Sequence, residues 1–251
     1  MKKLLALAVC LMLLGTVTVN GTFASDFSIS DFFQTIAETI FGEPKTDSSQ
    51  LDVETTVKMR GQDGKLVDES EPQMLVPLNQ PAGWYQEKTV TPVGEREYKL
   101  WTEPGVIDKF ICVTNKTEAD KGKDAYFRTA ISIRCSSETV WNNLKINLNE
   151  DTSEYQWSGW KNHGEWYTNV ATYLKPLAPG ETSPAMMMQL ALVNSREMTN
   201  ELMTTFGSEF TIEMHTVAID METFKNSSDD TQMSAMEALD MAAPIQSFLT
   251  N

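Results

Sequence analysis

Residues 109–115 read KFICVTN, Lys116 and the polar loop TEADKGK (117–123) follow, and residues 124–135 read DAYFRTAISIRC. Both flanks are rich in β-branched and aromatic residues that recur at every second position. Ile111 and Val113 share one face of the first flank, and Phe127, Ile131 and Ile133 one face of the second. Period two over this length predicts half-buried strands, and the Lys/Asp/Gly cluster between them predicts a loop. The expectation is two neighbouring antiparallel strands, joined as a hairpin, at the centre of a β-sandwich.

The same pattern extends in both directions. Upstream, LDVETTVKM (51–59) predicts a strand with Leu51, Val53 and Val57 inward, and Gly61-Gln62-Asp63-Gly64 a turn into a hairpin partner at Lys65–Asp68. Residues 70–94 carry Pro72, Pro77, Pro81 and Pro92, too many for a central strand. They read as a long surface connection pinned by Trp84 and Tyr85, with strand signals resuming at EREYKLWT (95–102). Downstream, Val140–Leu148 alternates with Leu144, Ile146 and Leu148 in phase. YQWSGW and EWYTNVATYL flank a turn at Asn162–Gly164, and PLAPGETS (176–183) is a second turn. PAMMMQLALV supplies a buried strand and EFTIEMHTVAI (209–219) the last one. Short helices are expected at the edges: one capped by Ser195 with Met198, Leu202 and Phe206, and one in TQMSAMEALDMA. Many strands joined by turns make an all-β, jelly-roll or Ig-like antiparallel sandwich with short peripheral helices.

In front of the first strand stand two further segments. MKKLLALAVCLMLLGTVTVNGTFAS has a positive start at Lys2 and Lys3, an apolar run from Leu4 to Leu14, and small residues at Thr22 and Ala24. That is the form of a secretory signal peptide over residues 1–24, cleaved between Ala24 and Ser25, and it is too short to span a membrane. Bulky Val9 before Cys10 argues against a lipid anchor. Residues 25–50 follow as an amphipathic segment and linker. Ile29, Phe32, Phe33, Ile36, Ile40 and Phe41 recur at helical spacing, and the polar KTDSSQ joins them to a sandwich domain over 51–251. The stripe of Ile29, Phe32, Phe33, Ile36 and Phe41 is the candidate assembly segment.

Charge and chemistry narrow the function. The chain of 251 residues carries a formal charge of −15, which becomes −17 once Lys2 and Lys3 leave with the signal. Such a chain is a poor partner for nucleic acid or an anionic membrane, and no later apolar run predicts a span. Cys112 is out of phase with Ile111 and Val113, whereas Cys135 shares the phase of Ile133, which argues for two unpaired thiols. His163 sits in a turn and His215 in a strand, read as a solvated and a rim residue; neither has HExxH or CxxC company, and no metal or cofactor is expected. Glu150, Asp151, Glu154, Asp229 and Asp230 read as solvated loop acids, although an unrecognised carboxylate pair of a hydrolase stays open. Tyr155, Trp157, Trp160, Trp166 and Tyr167 suggest either cross-strand packing or a glycan-stacking face. No catalytic constellation is expected.

Several blocks carry a resemblance. GTFASDF (21–27), SSQLDV (48–53), VTN (113–115), DAYFRTAI (124–131), GEWYTNVATYLKPLAPGETSP (164–184) and FTIEMHTVAI (210–219) resemble, in order, the blocks of the TasA/camelysin family of exported bacterial proteins. The resemblance implies processing by a SipW-type signal peptidase and a secreted sandwich that assembles biofilm-matrix fibres with itself and other matrix proteins. It also implies that the mature N-terminal segment adds to the next subunit as a strand, whereas residues 30–41 here read as helix. Camelysin is a metalloprotease, but no metal-ligand motif stands in this chain to carry that activity over. The reading is therefore a secreted, self-assembling matrix protein, with a monomeric glycan- or surface-binding module as the alternative.

Overall fold

The structure is a computed structural model, described over residues 51–69, 75, 83–86, 88–118, 123–135, 137–149, 153–193, 211–220 and 234–249. In chain order the strands among these are β1 (Val53–Arg60), β2 (Leu66–Asp68), β3 (Thr89–Val93), β4 (Arg96–Leu100), β5 (Ile107–Asn115) and β6 (Ala125–Arg134). They continue with β7 (Leu144–Leu148), β8 (Tyr155–Trp157), β9 (Lys161–His163), β10 (Trp166–Tyr173), β11 (Met186–Leu192) and β12 (Thr211–Asp220). Sheet I has the order β2-β1-β5-β11-β7. Sheet II has the order β12-β6-β10-β8, with β9 also on β10, and β3 and β4 form a separate hairpin. Every pairing is antiparallel. Sheets I and II pack face to face as an all-β sandwich of the jelly-roll or Ig-like kind.

The expected central hairpin is not formed. β5 pairs with β1 and β11, and β6 with β10 and β12, so the two strands belong to opposite sheets. Ile111, Val113, Phe127, Ile131 and Ile133 nevertheless share one core, as their phase requires. Alternation fixes which face of a strand is buried, and a shared core is met equally by strands side by side or face to face.

Asn115 fastens the point where the chain leaves sheet I. Its Nδ2 donates to the carbonyls of Lys123 and Leu177, both at 2.9 Å, and its Oδ1 accepts from the Thr117 amide at 3.1 Å. The turn 176–183 closes the same corner. Gly180, at φ +77°, donates to the Asn115 carbonyl, and Leu177 exchanges both backbone bonds with Ala125. The VTN, DAYFRT and PLAPGETS blocks thus meet in one place.

β5 and β11 are buried on both faces, which alternation alone did not reveal. The β3–β4 hairpin covers the outer face of sheet I. Val93, Tyr98 and Leu100 pack on Phe110, Cys112 and Met187 there, so Cys112 points away from the main core yet is buried. Cys112 and Cys135 are both free. A polar row fixes the hairpin. Gln189 Oε1 accepts from the Trp101 amide (2.7 Å) and Asn147 Nδ2 (2.9 Å), and its Nε2 donates to the Trp101 carbonyl (2.9 Å) and Asp108 Oδ1 (2.6 Å). Asp108 Oδ2 pairs with Arg60 Nε at 2.9 Å.

Two segments differ from expectation for local reasons. Residues 89–93, read as surface connection, form β3 despite Pro92. Val93 and Arg96 close a two-residue turn with Gly94 at φ +62°, which makes the Pro92–Glu97 pair the one that exchanges no ladder bonds, so the missing N–H costs nothing. Residues 140–143, read as strand, lie in helix α1 (Glu138–Asn143), whose first turn Ser137 caps through Val140 N. Helix α2 (Ala235–Ala242) stands where expected, opened by a capping box between Ser234 and Glu237. A short 3-10 turn, Ile245–Leu249, follows it.

Candidate functional site

Among the described residues the strand pairing leaves one side of the sandwich open. At that side β1 of sheet I lies against β12 of sheet II, and Thr55 Oγ1 donates to Thr216 Oγ1 at 2.7 Å across the gap. Thr216 in turn shares a 2.9 Å hydroxyl contact with fully buried Thr129 of β6. β12 is ten residues long and pairs with β6 along its whole length. Among the described residues no strand pairs with its far edge from Thr211 to Ile219. The far edge of β1 is covered by β2 at Lys58–Arg60, and among the described residues no strand pairs with it at Val53–Val57.

Between these two edges Val53, Val57, Ile212 and Met214 are only partly buried against the core. Backbone amides and carbonyls on an open edge are unpaired hydrogen-bonding groups in register for another strand, and an apolar strip beside them rewards one whose side chains alternate. The seam can therefore bind an extended segment. The sequence pattern marked Val53 and Val57 as inward, and Ile212 and Met214 alternate in the same way along the last strand. It held no sign that they border an open edge, because edge status depends on which strands become neighbours.

The residues proposed from the sequence for processing and assembly, Ala24, Ser25, Ile29, Phe32, Phe33, Ile36 and Phe41, lie outside the described residues. So do Glu150, Asp151, Asp229, Asp230 and the segment 195–206. Glu154 is described and is bonded to Arg96 Nη1 at 2.6 Å, which raises the arginine's pKa.

The aromatic residues close the opposite side, where β7 and β8 lie at the sheet edges. Trp141 of α1 stacks on Tyr167 with centroids 3.6 Å apart, and Trp160 meets Trp141 edge-on at 5.6 Å. Trp157 and Trp160 pack against the core, whereas Trp166 sits on the opposite face of β10 from Tyr167. Trp157, Trp160 and Trp166 therefore do not share one platform, and the inward rings spend their faces on one another.

Both histidines lie on the outer face of sheet II. His163 is half-buried in β9, with Nε2 at 2.6 Å from Thr168 Oγ1, and Thr168 shares a 2.7 Å contact with Ser132. His215 stands on the edge strand β12 and is half-buried there: its Nε2 is buried without a partner and its ring is 5.8 Å from that of Phe248. Among the described residues no three His, Cys, Asp or Glu side chains gather as metal ligands would, and no helix is long and apolar enough to cross a membrane.

No family model and no curated protein matches this chain. Matching solved structures include endoglucanase CelQ from Clostridium thermocellum complexed with cellotriose, at 8% identity and a TM-score of 0.27 over 67% of this chain and 25% of that one. The same enzyme complexed with cellotetraose matches at 8% identity and a TM-score of 0.25, over 72% and 28%. This chain thus spans about a quarter of the length of those enzymes, and a likeness this slight carries no statement about its activity.

Proposed function

We propose that this chain is a secreted structural protein that associates with itself, as a subunit of an extracellular matrix fibre of the TasA-like kind. The observation that supports the reading is the pair of open edges on β1 and β12 with an apolar strip between them. A strand from a second copy would gain backbone bonds and apolar cover there at once. The segment 25–50 is the assembly segment that the sequence offers, because Ile29, Phe32, Phe33, Ile36 and Phe41 provide apolar side chains ahead of a polar linker; their spacing is helical, so the segment would have to give up that helix to enter the seam as a strand. Residues 1–24 would be removed by a SipW-type signal peptidase before assembly, exposing Ser25. The open-edge groups suit structural association, and no catalytic role is proposed.

The test compares the chain beginning at Ser25 with one beginning at Thr46, by sedimentation, electron microscopy and thermal melting. Fibres or concentration-dependent oligomers from the longer chain only, with near-equal melting of both, support the reading. Monomers from both chains at high concentration, or collapse of melting in the shorter one, overturn it.

A further inference from the structure

The end of sheet II where β10 begins turns one tryptophan outward. Most tryptophans of this chain set their rings against other rings. Trp84 meets Trp101 at 5.9 Å, Trp141 meets Trp160 at 5.6 Å and Trp157 meets Tyr155 at 6.4 Å. Trp166 is the exception. Among the described residues its ring has no ring or cation partner, its indole N–H makes no hydrogen bond, and it joins none of the apolar clusters. It stands partly exposed at the first position of β10. Packing within the fold therefore gives no reason for a side chain of this size and polarity at that place.

Strand register sets its surroundings. Arg134 of β6, Trp166 of β10 and His163 of β9 stand opposite one another in one row across the sheet. The next row on that face runs from Glu213 of β12 through Ser132 and Thr168 to Lys161 of β9. Thr168 Oγ1 lies 2.7 Å from Ser132 Oγ and 2.6 Å from His163 Nε2, which fixes the imidazole beside the indole. Arg134 is fixed on the other side by two bonds to Glu165 Oε2, from Nε at 3.0 Å and Nη2 at 2.8 Å. Lys161, Arg134 and Glu165 are exposed, and Glu213 is half-buried. Burial lowers the His163 pKa, so the imidazole is neutral at pH 7 and its second nitrogen can donate or accept. One row beyond Glu213, Phe248 of the turn Ile245–Leu249 meets His215 and bounds the patch.

We propose that this patch binds carbohydrate: Trp166 stacks on a neutral, β-linked hexopyranose unit while Arg134, Glu165, His163, Glu213 and Lys161 hydrogen-bond its hydroxyls. A pyranose with equatorial hydroxyls carries its C–H bonds axially, so it has flat apolar faces and a polar rim. One free indole face among donors and acceptors of both signs has the complementary form. A protein partner is a poorer match, because a docking core gathers several apolar side chains and this patch has one. Nucleic acid and anionic glycans are poorer matches too, since the charges of the patch are mixed and the chain carries a formal charge of −15. The site uses the outer face of sheet II and needs neither open strand edge. Sugar binding and self-association can therefore fail separately.

The experiment is saturation-transfer NMR on the chain beginning at Ser25, with cellohexaose and chitohexaose as probes, a method that reads binding by single subunits and by fibres alike. Transfer to the ring C–H protons of at least one probe is expected. Trp166→Ala should weaken its binding by about tenfold or more. Trp166→Leu keeps apolar volume without the ring and should lose as much, which guards against a fold defect in the alanine variant; circular dichroism checks both. Val90→Ala, exposed on β3 over the other sheet, should change nothing. No transfer to either probe, or wild-type binding by a folded Trp166→Ala or Trp166→Leu chain, would overturn the proposal.

Discussion

Asn115→Ala isolates what holds the crossing from sheet I to sheet II. Asn115 is fully buried and makes three side-chain bonds, to the Lys123 and Leu177 carbonyls and from the Thr117 amide. A net of about 1 kcal/mol per bond gives roughly 3 kcal/mol lost, since alanine offers neither donor nor acceptor and the site is closed to water. For a domain of this size about 3 kcal/mol lowers the melting temperature by roughly 6–12 °C. Asn115→Asp sharpens the test, because it keeps the shape and the acceptor for Thr117 but sets a carboxylate oxygen against two carbonyls. It should melt no higher than the alanine variant. The assay is scanning calorimetry or circular dichroism of the mature chain at neutral pH, with Lys116→Ala as a control. Lys116 pairs with Glu54 at an exposed site, where such bonds contribute little, and its loss should be nearly silent. An Asn115→Ala melt within about 2 °C of wild type would refute the claim that this side chain fastens the corner.

Gln189→Leu should cost about 3 kcal/mol or more, because the Trp101 backbone, Asn147 and Asp108 all lose a buried partner; urea unfolding measures it, and a loss under about 1 kcal/mol would contradict the polar row. Cys112 and Cys135 should resist a thiol reagent in the native protein and both react in denaturant, since burial raises the pKa of each thiol; fast native labelling of either would count against their placement. Burial pushes the Tyr98 phenol up to about 12. An acid raised on folding contributes stability that is intact below about pH 10 and declines as pH rises, so melting should fall between about pH 10 and 12, and Tyr98→Phe should shrink that fall.

Much of the fold was legible because alternation is a local property. β1 with its Gly61–Gly64 turn, β11, β12, the Gly180 turn and α2 all stand where their patterns put them. What failed was neighbourhood. Ile111 and Phe127 were rightly turned toward one core but wrongly set side by side, because nothing in either flank encodes which sheet it joins. Among the described strands five of the successive connections, β5 to β6, β6 to β7, β7 to β8, β10 to β11 and β11 to β12, change between sheets I and II. A reading that pairs sequence neighbours goes wrong at such crossings. Cys112 was read rightly as out of phase with the core and unpaired; the hairpin that covers it was hidden by its own proline.

The polar residues inside strands explain the remainder, and they also explain why the seam could not be seen. Hydrophobic periodicity treats Asn115, Arg128, Thr129 and Gln189 as gaps in a pattern, yet all four are buried and each sets a relation between layers. Asn115 joins the two sheets at a corner, Arg128 binds α2 through Asp240 and the Ala243 carbonyl, Gln189 binds the hairpin, and Thr129 with Thr216 and Thr55 bridges sheet II to sheet I. A buried polar group is tolerated only where its partners are fixed, so each ties down a place where two layers must meet in one way. The bridge from Thr55 to Thr216 holds the β1–β12 side at a set width although among the described residues no strand closes it there. Apolar packing alone would let that side collapse or slide. A fixed width, two open edges and partly covered Val53, Val57, Ile212 and Met214 are the conditions under which an added strand has one register to take.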